Sequence, residues 1–129
     1  GKLRECSNAI NGNIILIPLK VFSVVGMNDP TYHHMYGDHD YALRAIKAGF
    51  KCYIAPQICG ECNRHENIAT WCDATQPMSK RWKDFHKNTG VRPDDLFIFN
   101  KTHYGLIKAC FVYITSHIHC LFPILWNNK

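Results

Sequence analysis

The sequence predicts an α/β domain over residues 1–78, followed by a helical extension over residues 79–129. Three observations carry that prediction. Ile14-Ile15-Leu16-Ile17 is an unbroken apolar, largely β-branched run, the pattern of a strand buried on both faces. A helical pattern begins at Asp38, stops at Gly49 and gives way to the alternating run Phe50-Lys51-Cys52-Tyr53-Ile54-Ala55. Near the end, Ile107, Phe111, Ile114, Ile118 and Leu121 recur at helical spacing.

Taken in order, residues 1–12 are polar and lead into the turn signal Asn11-Gly12-Asn13. Pro18 stops the first predicted strand. A short helix follows over 19–25, with Leu19, Phe22 and Val25 on one face and Gly26 as its terminator. Asn28-Asp29-Pro30 is a turn, and an aromatic, His-rich loop comes next. In the helix from Asp38, Ala42, Leu43 and Ile46 face a core beside the small positions Ala45 and Gly49. Pro56 closes the second predicted strand, so strand, helix, loop, helix and strand succeed one another. Residues 56–78 are irregular. Pro77 and Ser79 open a helix with Trp82 and Phe85 on its buried face, and the stretch from Gly90 to Pro93 breaks it. Asp94-Asp95 are placed to cap a helix over 96–100, and a last helix is expected over 102–121 with its apolar stripe packed on the core. Lys108, His117 and His119 interrupt that stretch and Pro123 ends it, so it is not read as a membrane span.

The chain of 129 residues is 47% hydrophobic and 19% charged, which fits one folded domain with a modest core. It opens at Gly1 without a basic-then-apolar leader pattern and reads as a piece of a longer chain. Of the net charge of +5, +1 falls in residues 1–66 and +4 in residues 67–129. The basic excess therefore lies with the apolar, aromatic end, which suits a phosphate-bearing ligand or peripheral contact with an anionic membrane surface. No Lys/Arg run or nucleic-acid motif accompanies it, so nucleic acid is not an expected partner. Seven cysteines cannot all pair within one chain, and their irregular spacing points to a reduced, cytoplasmic protein.

Chemistry concentrates in His33-His34-Met35-Tyr36-Gly37-Asp38-His39-Asp40-Tyr41-Ala42-Leu43-Arg44, which sets two carboxylates, three imidazoles and two phenols against a helix start. Carboxylates there serve either of two purposes. They cap free backbone N–H groups, or they stand as acid/base groups on a rigid element. Asp40 and Arg44 are four apart, the spacing of a helical ion pair. A rival constellation is Cys59-Gly60-Glu61-Cys62-Asn63-Arg64-His65, in which Cys59, Cys62 and His65, with Cys72 as a fourth ligand, suit zinc. A second rival is a non-catalytic carbohydrate- or protein-binding surface built on Tyr32, Tyr36 and Tyr41.

The order of elements over residues 11–65 resembles the C-terminal half of the catalytic domain of glycosyltransferase family 2, the inverting enzymes of the GT-A fold. Gly37-Asp38-His39-Asp40-Tyr41-Ala42-Leu43-Arg44-Ala45-Ile46-Lys47-Ala48-Gly49-Phe50 is similar to that family's Glu-Asp-x-Asp-x-x-x-Arg helix start and its Lys-Ala-Gly-aromatic end. Arg81-Trp82 and Lys101-Thr102-His103-Tyr104-Gly105 extend the likeness more loosely toward bacterial members. Gly37 departs from the usual Glu.

The resemblance implies a partial GT-A, Rossmann-like domain over 1–78 that forms the acceptor-binding half, with residues 79–129 as a helical extension packed on it. It further implies sugar transfer with inversion from a nucleotide-diphosphate sugar to a saccharide or lipid-linked acceptor. Asp38 would be the general base. Asn11, Gly12, Asn13, Tyr36, Gly37 and His39 would lie on the acceptor side, with His33 and His34 as further loop contacts. Asp40 and Arg44 would be scaffold, and His65 a ligand to Mg²⁺ or Mn²⁺. No Asp-x-Asp precedes residue 38, so the donor-binding half is missing and the 129-residue piece should be inactive alone. Such a half-sheet would also be prone to self-association through its open edge.

Overall fold

In a computed structural model, which describes residues 2–6, 14–61 and 69–125, backbone pairing begins earlier than the sequence suggests. Strand β1 (Arg4–Cys6) lies antiparallel to β2 (Cys52–Ile54), with Arg4 opposite Ile54, Glu5 opposite Tyr53 and Cys6 opposite Cys52. Lys51 and Glu5 form an exposed ion pair at 3.1 Å beside this ladder. The expected strand at 14–17 does not form. Its residues run as irregular chain, with Leu16 93% exposed and Ile14 and Ile17 also exposed. An apolar run becomes a buried strand only where neighbouring strands complete its ladder. The sheet among the described residues has two strands, and they pair only with each other.

The chain divides into two compact units, Gly1–Tyr32 with Tyr36–Arg64, and His33–Met35 with His65–Lys129. The described residues are mostly helical, with five α-helices and the one small antiparallel sheet.

In the first unit, α1 (Leu19–Val25) follows Pro18, whose carbonyl accepts from Val21 and Phe22, and it ends where Gly26 N–H donates to Phe22 O at 2.8 Å. The helix stands where the sequence put it, but none of its residues is buried, and Leu19 and Phe22 are exposed. Helix α2 (Gly37–Lys47) buries Asp40, Tyr41, Ala42 and Ala45, while Leu43 and Ile46 are half-buried. The apolar burial of α2 comes mainly from the Tyr41 ring, with the two alanines adding little, because a methyl side chain removes little area from water.

The second unit is built on a tighter core. Phe85 and Cys120 are fully buried with Val91, and Trp71 and Leu96 pack against them. Trp71 comes from a 3₁₀ turn (Thr70–Cys72), and its ring lies 5.4 Å from Phe85 and 5.0 Å, edge-on, from His119. Helix α3 (Met78–His86) supplies Phe85 together with a buried Arg81, whereas Trp82, expected to be buried, is exposed. The turn after α3 brings the backbone very close to itself. A Cβ at Gly90 would stand 2.0 Å from the Asp84 carbonyl, so no larger residue fits there without moving backbone.

Helix α4 (Pro93–Tyr104) starts earlier and ends later than expected. Pro93 takes the first helical position, where its missing N–H costs nothing. Asp94 and Asp95 sit in the first turn rather than capping, and the cap position is Arg92, held at φ +44° with its N–H on Phe85 O at 2.9 Å. The expected single helix over 102–121 is cut at Gly105, from which α5 (Leu106–Leu121) departs in a new direction. It is followed by a 3₁₀ turn (Pro123–Leu125).

The expected packing of α5 is also reversed. Its buried residues are Ala109 and Cys120, with Val112, Tyr113, Ser116 and His117 half-buried, while Ile107 is 89% exposed and Phe111 and Ile114 are exposed with it. The phenol ring of Tyr113 meets Phe97 of α4 edge-on at 5.8 Å. Small Ala109 on the inner face lets the two helices approach, and the bulky aliphatic stripe is left on the other side.

Gly105 adopts φ +95°, ψ 166°, a region essentially closed to residues with a Cβ. A Cβ there would meet nothing within 4 Å, so the cost of adding one is backbone strain alone. Gly105→Ala is therefore expected to lower unfolding free energy by about 1–3 kcal/mol. Urea denaturation followed by far-UV circular dichroism would read this; unchanged stability would mean the α4–α5 corner can adopt another conformation.

Candidate active site

Helix α2 carries the acidic pair, and its two carboxylates have different surroundings. The N-cap residue is Tyr36, with no side-chain hydrogen bond to the helix, so neither Asp38 nor Asp40 acts as the cap. Both lie in the first turn, where the helix dipole favours negative charge. Asp40 is 1% exposed, and its Oδ2 accepts from Arg44 Nε at 2.7 Å, one turn along the helix. Arg44 then reaches out of α2. Its two terminal nitrogens donate to Val25 O at 2.8 Å and Met27 O at 3.0 Å. One guanidinium thus ties α2 to the chain leaving α1 and satisfies carbonyls that the helix end would otherwise strand.

Asp38 is half-buried, and its carboxylate makes no hydrogen bond or ion pair with any described residue. The acidic motif therefore holds one carboxylate committed to structure and one open to chemistry. Tyr41, three residues on from Asp38, places its ring 5.1 Å from the Arg44 guanidinium carbon. Its hydroxyl is buried with no hydrogen-bond partner among the described residues. Gly37, Tyr36 and His39 are half-buried around the start of the helix. Asp29 accepts the Thr31 N–H at 2.9 Å in a turn, and hydrogen bonding from Thr31 lowers its pKa.

Asn11, Gly12, Asn13, Cys62 and His65 lie outside the described residues. The acceptor-side turn and the metal-ligand position assigned to them are therefore not described. No three His, Cys, Asp or Glu side chains among the described residues converge as a metal site. Cys59 is exposed with its thiol toward Gln57 O at 3.6 Å, and Cys72 directs its thiol to Ala69 O at 3.3 Å. Burial raises the pKa of Cys52, Cys72 and Cys120, so at neutral pH these are thiols and poor nucleophiles.

Some site features escaped the sequence reading. His33, expected as a loop contact, instead has its backbone N–H and its ring Nδ1 3.0 and 3.1 Å from Oδ2 of the buried Asp95. Arg92 Nε approaches the other oxygen of Asp95 at 3.4 Å. Asp95 thus anchors the loop segment 33–35 on the start of α4 within the second unit, and only a fold could reveal a pairing across 62 residues. Two depressions are also present. One of about 550 Å³ runs along β1 and β2 between Lys2, Arg4, Glu5, Ile54 and Pro56, and one of about 410 Å³ is lined by Met78, Ser79, Trp82 and Leu121. Asp38 lines neither.

Comparison with protein-family models, curated proteins and solved structures finds no match.

The Asp40–Arg44 bridge makes a prediction that separates pairing from packing. Arg44→Met strands the buried Asp40 carboxylate and removes the donor to Val25 O and Met27 O, and is expected to cost about 3–5 kcal/mol. The double change Asp40→Asn with Arg44→Met removes the charge with its partner and should cost clearly less, a non-additivity readable in urea titrations of the four-member cycle. Additive losses would show that the pair is not coupled.

Proposed function

We propose that this chain is the acceptor-binding half of an inverting, family 2-like glycosyltransferase with a partial GT-A domain, in which Asp38 is the general base. The observation that carries the reading is the division of labour in α2. Asp40 is buried on Arg44, while Asp38, two residues earlier and half-exposed, has no bonded partner among the described residues. An inverting transfer needs a carboxylate that can take the proton of an acceptor hydroxyl as it attacks the anomeric carbon from the face opposite the leaving nucleotide diphosphate. A base spent in an ion pair could not do this, and an open carboxylate on a rigid helix start can.

The exposed apolar surface of the first unit adds support. Leu16, Leu19, Val24 and Ile58 are exposed there beside a two-stranded sheet, as expected of a half-domain made to be covered by further strands. The donor-binding half, the nucleotide-diphosphate sugar and the divalent cation, Mg²⁺ or Mn²⁺, belong to the complete enzyme in this reading. The cation would supply charge neutralisation at the departing diphosphate. What this chain supplies is the base, its scaffold and the acceptor side, with Tyr36, Gly37 and His39 flanking Asp38. The acceptor is a saccharide or a lipid-linked saccharide, and the work is cytoplasmic, where nucleotide sugars are made.

The test is release of nucleotide diphosphate from a panel of nucleotide sugars by the complete enzyme. Asp38→Asn is expected to reduce turnover by about 10²- to 10⁴-fold with donor affinity unchanged. Near-wild-type turnover in that variant would overturn the assignment of the base.

A further inference from the structure

Helix α5 is mounted the opposite way round from an ordinary surface helix. Its half-buried face carries Tyr113, Ser116 and His117, and its exposed face carries Ile107, Phe111, Ile114 and Ile118. The inward Ser116 hydroxyl incurs no large penalty, because it bonds back to the helix's own carbonyl, Ser116 Oγ donating to Tyr113 O at 2.9 Å. The outward stripe is a contiguous apolar surface of the kind that marks an interaction site. Phe122, Ile124 and Leu125, just past the helix end, are exposed as well, and at Leu121 the stripe borders the depression lined by Met78 and Trp82.

The charge around this face selects the occupant. From residue 96 to residue 125 the ionised side chains are Lys101 and Lys108, with no carboxylate among them. Lys108 lies over the Tyr104 ring at 3.6 Å, at the start of the stripe, and Lys101, also exposed, lies seven residues earlier near the end of α4. A second copy stacked in parallel on this face would bring the lysines of the two chains together across an apolar contact, which disfavours that pairing. A surface that is apolar beneath and negative at its boundary complements both features. At 16 residues α5 is about 24 Å long, short of a hydrocarbon core of about 30 Å, and no described helix is long and apolar enough to cross a membrane.

We propose that the outward face of α5, with the turn Pro123–Leu125, docks in the plane of an anionic lipid surface. Phe111, Ile114 and Ile118 enter the acyl boundary, and Lys101 and Lys108 stay at the headgroup level, their aliphatic stems along the apolar surface. This inference rests on the second unit alone and stands or falls independently of the transferase reading.

Sedimentation of the 129-residue chain with vesicles tests it. Vesicles of equal parts phosphatidylcholine and phosphatidylglycerol should carry the chain down, and pure phosphatidylcholine vesicles should do so far less. Raising salt from about 50 mM to about 500 mM should weaken binding severalfold by screening the headgroup attraction. The double variant Phe111→Ser, Ile114→Ser should retain its far-UV circular dichroism, since both positions are exposed, and lose about tenfold or more in partitioning. The chain remaining in the supernatant with both vesicle types at low salt would overturn the proposal. So would equal binding by the double variant, or a self-associated species that the variant dissolves and that ignores vesicles.

Discussion

Each unit of this protein depends on one arginine that gathers backbone carbonyls a helix end would leave unsatisfied. In the first unit Arg44 takes Val25 O and Met27 O while paired with Asp40. In the second, Arg81 is buried and donates from Nε to Cys120 O at 3.0 Å, from one terminal nitrogen to Leu121 O at 3.2 Å and from the other to Gln76 O. Guanidinium suits the task because its planar set of donors can serve carbonyls in several directions at once, which a lysine cannot. The apolar cores nearby are small, with Tyr41 and two alanines on α2 and Phe85, Val91 and Cys120 in the second unit. In cores of that size, leaving a buried carbonyl such as Cys120 O unbonded would cost a large share of what a buried side chain contributes. The arginines fix where α1 ends relative to α2, and where α5 ends relative to α3.

The same logic separates the two carboxylates of α2. A buried Asp can persist as an anion only with a cation and good hydrogen bonds, and Arg44 provides both to Asp40. The bridge thereby frees Asp38 from any structural duty, and the geometry of α2 keeps it at the first turn, half-open to solvent. A carboxylate committed to the scaffold and an unpaired carboxylate two residues apart thus share the first turn of α2. The first holds the helix still, and the second is held out by it.

Local punctuation was legible in the sequence, and long-range assembly was not. Pro18 with Gly26, and Pro77 before α3, set helix limits that the structure keeps, because proline and glycine act on their own backbone. Ile14-Ile15-Leu16-Ile17 misled because an apolar run states a preference for burial but not whether neighbouring strands exist. Strand β1 was missed because three residues are too short to show a period, and its partner residues lie 46 to 50 positions further along the chain. Asp95 looked like a cap by position, and only the fold brings His33 to it. In the candidate site, the i, i+4 spacing made the Asp40–Arg44 pair readable. The Arg44 bonds to Val25 and Met27 were not, since backbone acceptors leave no mark in a sequence.

Helix α5 shows most plainly what periodicity leaves undecided. An amphipathic pattern identifies two faces but says nothing of which one turns inward. Two local constraints decide it here. Ala109, the smallest side chain on the inner face, is fully buried, whereas Ile107 or Phe111 at that position would hold α5 away from its neighbours. At the other end Arg81 grips the carbonyls of Cys120 and Leu121, and the Cys120 side chain completes the Phe85 core. Anchored at both ends, the helix cannot roll to bury its stripe without vacating the core and stranding the guanidinium. The exposure of Ile107, Phe111 and Ile114 is therefore imposed by the packing of the second unit, and a surface so imposed is stable in water only while its anchors hold.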